Sequence, residues 1–175
     1  EAGVAAAPNL VVAAAGISSG WRRAALLMSS NDGASWEEAG VTAAPAIIGA
    51  AETVLGAGSA FLIDEIYSVD VRLLNATMTL GNADAVGLDG GRNLAILGDE
   101  LIQFRAATAL GANRYRLSGL YRGRRGTEWA MTSHAAGERF VLIERDTLAS
   151  LAVPAALGQL SVMAVGIADG AAPPV

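Results

Sequence analysis

The chain contains no cysteine. Disulfides and thiolate metal sites are therefore excluded, and the redox compartment is left undetermined. Lysine is absent too, so all twelve basic side chains are arginine. His134 is the only histidine, and a zinc site would have to be mostly carboxylate. Aromatic residues make up only 5% of the 175 positions. A core built from this alphabet relies on Leu, Val, Ile and closely packed Ala. A membrane helix needs ~20 predominantly apolar residues in one coherent helix. The most apolar stretch, 41–63, is broken by Pro45, Glu52 and several glycines, and reads as short strands and loops. No segment has the basic and apolar regions of a signal peptide. The formal net charge of −5 disfavours a general nucleic-acid surface, which needs a basic face.

What remains is a chain of short apolar runs punctuated by glycine, which favours strands over helices. Strands are expected over 10–15, 23–29, 42–50, 52–55, 60–66, 70–80, 93–97, 100–110, 114–120, 138–144 and 162–167. The alternation in 70–80 places Val71, Leu73, Asn75, Thr77 and Thr79 on one face. Gly111-Ala-Asn113 is expected to close a hairpin between 100–110 and 114–120. Across it Ile102 and Phe104 face inward with Tyr115 and Leu117, whereas Gln103, Arg105, Arg114 and Arg116 fall on a wetter face. Glu100 shares the parity of Ile102 and Phe104, and an inward acid needs a partner. Strand 138–144, with Phe140-Val-Leu-Ile143 at its centre, should be covered on both sides. One short helical turn is expected over 127–134. The fold class is all-β: an antiparallel sandwich or partly open barrel with at most one short helix.

The organisation reads as a poorly anchored segment over 1–20, a β-rich module over 21–145, and a last strand and tail over 146–175. The absence of an initiator Met and the Ala-Ala-Pro-Pro-Val175 end point to a piece excised from a longer protein. A composition shift over 43–58 marks a candidate subdomain seam. No fixed-period repeat is found, which argues against a propeller or solenoid.

The most chemically loaded stretch is Gly119-Leu-Tyr-Arg-Gly-Arg-Arg-Gly-Thr-Glu-Trp129. Arg122, Arg124 and Arg125 are interleaved there with Gly119, Gly123 and Gly126. Guanidinium groups bind carboxylates or phosphates in a fork geometry, and glycines let backbone N–H groups crowd an anion. Two readings stand. The arginines face a partner: a neighbouring subunit, a polysaccharide or passing DNA. Alternatively they tie the loop down on Glu100, Glu128, Glu138 or Glu144, with Thr127 and Glu128 as caps and Trp129 as an anchor. The capping residues directly behind the arginines favour the second.

Other motifs are weaker. Ser29-x-Asn31-x-Gly33-x-Ser35-Trp36 has the spacing of the Asp-box turn, which is a structural hairpin in sugar-active propellers. A single copy is read as a turn. Gly16-Ile-Ser-Ser-Gly20 has nucleophile-elbow spacing, but a strand rather than a helix is expected after it, and His134 would be the only base for Ser18. Gly56-Ala-Gly58 lacks the rest of a dinucleotide loop. Asp64/Glu65 and Asp99/Glu100 are adjacent carboxylates that point to opposite faces. A glycosidase pair would have to combine both sites, as Glu65 with Glu100. No catalytic, cofactor or metal residue is assigned.

Three stretches between 92 and 144 carry a resemblance. They are Arg-Asn-Leu-Ala-Ile-Leu-Gly-Asp-Glu-Leu-Ile-Gln-Phe, Tyr-Arg-Leu-Ser-Gly-Leu-Tyr-Arg-Gly-Arg-Arg-Gly-Thr-Glu and His134-Ala-Ala-Gly-Glu-Arg-Phe-Val-Leu. With the upstream Ala-Leu-Leu-Met-Ser-Ser-Asn-Asp-Gly-Ala-Ser-Trp, the chain resembles, over about residues 20–145, the C-terminal region of large phage tail-tip proteins. The nearest likeness is to the multidomain "megatron" baseplate protein of gene transfer agents, with related pieces in tail-hub and host-specificity proteins of siphophages. Asp99, between Gly98 and Glu100, is a small departure from the pattern. The resemblance implies a structural and binding role at a virion or virion-like tail tip, made in the bacterial cytoplasm. The implied partners are other tail-tip proteins in an oligomer, with a host-surface polysaccharide or receptor beyond them and no nucleic-acid specificity. It implies no catalytic residue in this region. The alternatives are a carbohydrate-recognition module, favoured by a groove lined with Trp21, Trp36 or Trp129, and a glycoside hydrolase.

Overall fold

In a computed structural model that describes residues 9–18, 20–153 and 160–166, backbone pairing follows the short apolar runs closely. The strands in chain order are β1 (Asn9–Ala13), β2 (Ala24–Ser29), β3 (Glu37–Val41), β4 (Ile48–Ala51), β5 (Val69–Leu73), β6 (Leu94–Leu97), β7 (Glu100–Gly111), β8 (Arg114–Tyr121), β9 (Arg139–Leu142), β10 (Leu148–Ala152) and β11 (Ser161–Gly166). One short helix, α1 (Ala85–Asp89), lies between β5 and β6. The all-β expectation holds, and the barrel is closed rather than partly open.

The described residues form two compact units. In the first, β1 pairs with β10, and β2 lies between β11 and β3. In the second, six antiparallel strands close in the order β4-β5-β8-β7-β6-β9. The chain passes between the units at Ala15/Gly16, Gly20/Trp21, Pro45/Ala46 and Glu144/Arg145, so residues 21–145 are divided between them. The barrel interior is filled by Val69, Val71, Leu73, Leu97, Ile102, Phe104, Leu117, Leu120 and Phe140, all nearly solvent-free. Phe104 and Phe140 meet as tilted rings 6.5 Å apart. Strand β9 pairs with β4 on one side and β6 on the other, and Phe140, Val141 and Leu142 are all buried. The β7–β8 hairpin turns at Ala112 and Asn113, both at positive φ.

Several expected elements differ. The 70–80 run stops at Leu73, because Asn75 Oδ1 accepts from the N–H and hydroxyl of Thr77 and makes an Asx turn. Asn75, Thr77 and Thr79 therefore do not share a strand face with Val71. Of 42–50 only the end beyond Pro45 pairs as a strand. Residues 52–55 and 60–66 form no strand; a single bridge joins Asp64 to Leu120. Gln103 is buried, not wet: its amide donates to the carbonyls of Leu88 and Arg92 beneath α1. The helical turn expected over 127–134 is a 3-10 turn at Glu128–Ala130. The helix α1 was masked by Gly87 and starts because Asp84 accepts from the Gly87 N–H at 2.8 Å. Strand β10 was missed among the Ala-rich residues that follow Arg145. The outer parts of the segments expected over 1–20 and 146–175, including Ile167, lie outside the described residues.

Candidate functional site

Strand phase puts Glu100 inside the barrel at the start of β7, and it is wholly buried. Its partner is Arg122, the first residue after β8, also buried. Arg122 Nε donates to Glu100 Oε1 at 2.9 Å and Nη2 donates to Oε2 at 2.8 Å, a bidentate fork. The Gly123 N–H adds a third donor, 2.6 Å from Oε1. Gly123 holds φ +58, the left-handed conformation that aims this N–H at the acid. The other edge of the guanidinium reaches the 52–68 loop: Nη1 donates to the Gly56 carbonyl at 2.8 Å and meets Asp64 Oδ2 at 3.2 Å.

Asp64 in turn organises its own loop. Its Oδ1 accepts from the N–H groups of Ile66 (3.0 Å) and Tyr67 (2.9 Å), and its backbone exchanges two hydrogen bonds with Leu120. Gly58 makes the close approach feasible, because a Cβ there would collide with Asp64 Oδ2 and Arg122 Nη1. On the far side of Glu100, His134 Nε2 lies 2.6 Å from Oε2, and His134 Nδ1 lies 2.7 Å from Glu138 Oε1. Burial alone would raise the Glu100 carboxyl; the Arg122 fork, the Gly123 N–H and His134 outweigh it and hold it below the ordinary value of 4.5. The five side chains Asp64, Glu100, Arg122, His134 and Glu138 thus tie both long loops to the barrel wall.

The other members of the arginine stretch behave differently. Arg124 and Arg125 are exposed and form no ion pair among the described residues. Arg124 lies over the Tyr121 ring, 5.9 Å from its centroid. Arg125 occupies φ +55, a conformation unfavourable for a side-chain-bearing residue. Thr127 does cap: its hydroxyl accepts from the Leu101 N–H at 2.9 Å and donates to the Arg124 carbonyl at 2.8 Å. Glu128 is exposed and makes no capping bond. Trp129 is not the expected anchor, being 69% exposed. The tight 3-10 turn swings it outward and buries Ala130 and Met131 instead.

The Asp-box-like turn links β2 to β3 in the other unit. The buried Ser29 hydroxyl accepts from the Gly33 N–H, Asn31 Oδ1 accepts from the Ser35 N–H, and Asn31 Nδ2 donates to the Ser35 hydroxyl, each at 2.9 Å. Gly33 sits at φ +88 against the half-buried Trp36 ring. Every polar member is thus used inside the turn. In the barrel unit an open cleft of about 510 Å³ is lined by Asn82, Ala83, Asp84, Arg92, Arg105 and Ala106, with no aromatic wall. Glu65 lies outside, paired with Arg105, whereas Glu100 is inside with Arg122, so the two are not brought together. Arg105 reaches Glu65 by crossing Gly119, where a Cβ would meet it at 3.0 Å.

Expectation from the residues reached Glu100 and Arg122 and missed Asp64 and His134 as members of the same cluster. The adjacency of Asp64 to Glu65 in the sequence hides its distant partner, Arg122. The signal for His134 was its four-residue spacing to Glu138 within one of the resembling stretches.

These features define a small closed β-barrel whose two long loops are locked by a buried arginine–carboxylate network. The chain belongs to the family described as Rcc01698-like, C-terminal, which matches residues 46–141. The matched span holds the whole buried network and all six barrel strands but for Leu142, the last residue of β9. No curated protein matches the chain.

Proposed function

We propose that this chain is a structural and binding module of a phage-like tail tip or baseplate, working through contacts with other tail-tip proteins and with the host envelope. The observation that carries it is the sorting of charge around the barrel loops. Asp64, Glu100 and Arg122 are spent inside, while Arg124, Arg125 and Trp129 are presented outward on a braced loop. Aromatic and arginine side chains on a rigid support are what protein interfaces favour. Family membership and the resemblance to gene transfer agent baseplate proteins support the setting. Nothing in the loop network requires a reacting substrate, since each of its polar groups is satisfied internally. The carbohydrate-recognition alternative draws less support, because the cleft beside α1 has no aromatic platform.

An antibody raised against the purified chain tests this reading by immunogold electron microscopy of particles from the source strain. Label confined to the tail tip is expected. Unlabelled tips, with the antigen absent from purified particles by immunoblot, would sink it.

A further inference from the structure

We infer that one end of the barrel is a membrane-interface surface, with Phe61 and Leu62 entering the acyl boundary and Arg124 and Arg125 meeting lipid phosphates. The topology places the parts together. Antiparallel order gathers the 52–68 loop, the 98–99 turn and the 122–138 loop at the same barrel end. That end carries Phe61 at 96% exposure, Ile66 at 86% and Leu62 at 72%, with Val54 and Ile63 also exposed. Monomeric proteins rarely leave large contiguous apolar patches uncovered.

The chemistry of the loop selects a bilayer over a protein socket. From Thr53 to Ile63 there are eleven consecutive residues without a charge. The run has only two hydroxyls, and each accepts within the chain: Thr53 from the Asp70 N–H and Ser59 from the Phe61 N–H. Protein interfaces carry about one hydrogen bond per 100–200 Å² to fix register. These side chains offer a partner almost none, and a fluid acyl layer asks for none. The acids that bracket the run are paired in place, Glu52 with Arg72 and Arg114, and Asp64 with Arg122, which it shares with Glu100. Tyr67 and Trp129, partly exposed, have the amphipathic rings that settle at headgroup depth.

The arginines complete the match. Arg124 and Arg125 are exposed on the neighbouring loop without ion pairs among the described residues, and their forks suit phosphate. Asp99 and Glu128 are exposed at the same end, so the charge there is mixed and apolar insertion carries the binding. The loop is braced by the Asp64–Leu120 bridge and by Arg122, which lowers the ordering cost of insertion. The insertion inferred is of exposed loop side chains, at the depth of the headgroup and acyl boundary.

The inference rests on the envelope contact of the proposed function and deepens it, assigning Arg124, Arg125 and Trp129 to that contact rather than to a protein partner. Flotation of the full chain with phosphatidylcholine–phosphatidylethanolamine vesicles tests it. Wild type is expected to float in low and high salt alike. The F61S/L62S double variant, which alters only exposed side chains and should melt like wild type, is expected to lose at least about tenfold in partitioning. Phe61→Trp should shift its emission to the blue on vesicles. Absent flotation, or flotation unchanged in the double variant, would overturn the inference. So would concentration-dependent self-association that the double variant abolishes without any vesicle binding, which would make the patch a protein interface. Tip labelling can succeed while flotation fails, so the two proposals fail separately.

Discussion

Replacing Glu100 by Gln would leave the Arg122 guanidinium buried with only Asp64 as counter-charge. Breaking one side of a buried, hydrogen-bonded pair typically costs about 3–5 kcal/mol. Glu100→Gln and Arg122→Ala are each expected to lower the unfolding free energy by that order in urea titrations. Arg124→Ala and Arg125→Ala should leave it within about 0.5 kcal/mol of wild type, because both side chains are exposed and neither forms an ion pair among the described residues. Equal losses at all four positions would refute this division of the arginines. Here reading the residues succeeded by parity: Glu100 shares the phase of Ile102 and Phe104, so its burial follows from strand geometry alone. It could not rank the three arginines, because that ranking depends on where a left-handed Gly123 redirects the chain.

The 52–68 loop is the element whose form was least legible. Its apolar residues read as strands, yet they have no partner strand beyond the Asp64–Leu120 bridge. What shapes the loop is long-range: a carboxylate at 64 and a guanidinium at 122, brought together only once the barrel closes. Glycine marks the point of closest approach. Gly58→Ala should therefore destabilise by displacing Asp64 from Arg122, and limited proteolysis should then cut within 52–68 faster than in wild type. A cleavage rate unchanged from wild type would show that the loop is held by something else. By contrast, the β7–β8 hairpin was legible in its strands and its turn residues, which agree locally, but not in the burial of Gln103, which α1 and the Arg92 carbonyl impose from outside the hairpin. Helix α1 was not, because an Asp cap and a five-residue length leave almost no periodic signal.

For the whole molecule the buried network sets a pH dependence. Glu100 and Asp70 are both held below their ordinary values, 4.5 and 3.8. For Glu100, burial acts upward and is outweighed by Arg122, Gly123 and His134; for Asp70 the Arg116 fork at 2.7 and 2.8 Å dominates. A carboxyl depressed in the folded state stabilises the chain above its unfolded value, and that contribution is lost as pH falls through the folded value. The melting temperature should therefore drop as pH is lowered below about 4.5, and the drop should be shallower in Glu100→Gln, which starts lower and has one fewer group to protonate. Identical slopes in the two proteins would count against Glu100 as a source of the acid sensitivity.

Closure of the barrel has a consequence for assembly. Where the sheet returns on itself it has no free hydrogen-bonding border, so a partner could add a strand only along the part of β7 that runs beyond its pairing with β6. Recruitment by backbone augmentation, and the runaway polymerisation that it invites, are closed to the paired wall. Along that wall a partner is recognised through side chains, which lets surface specificity diverge by substitution while the hydrogen-bonded wall stays the same.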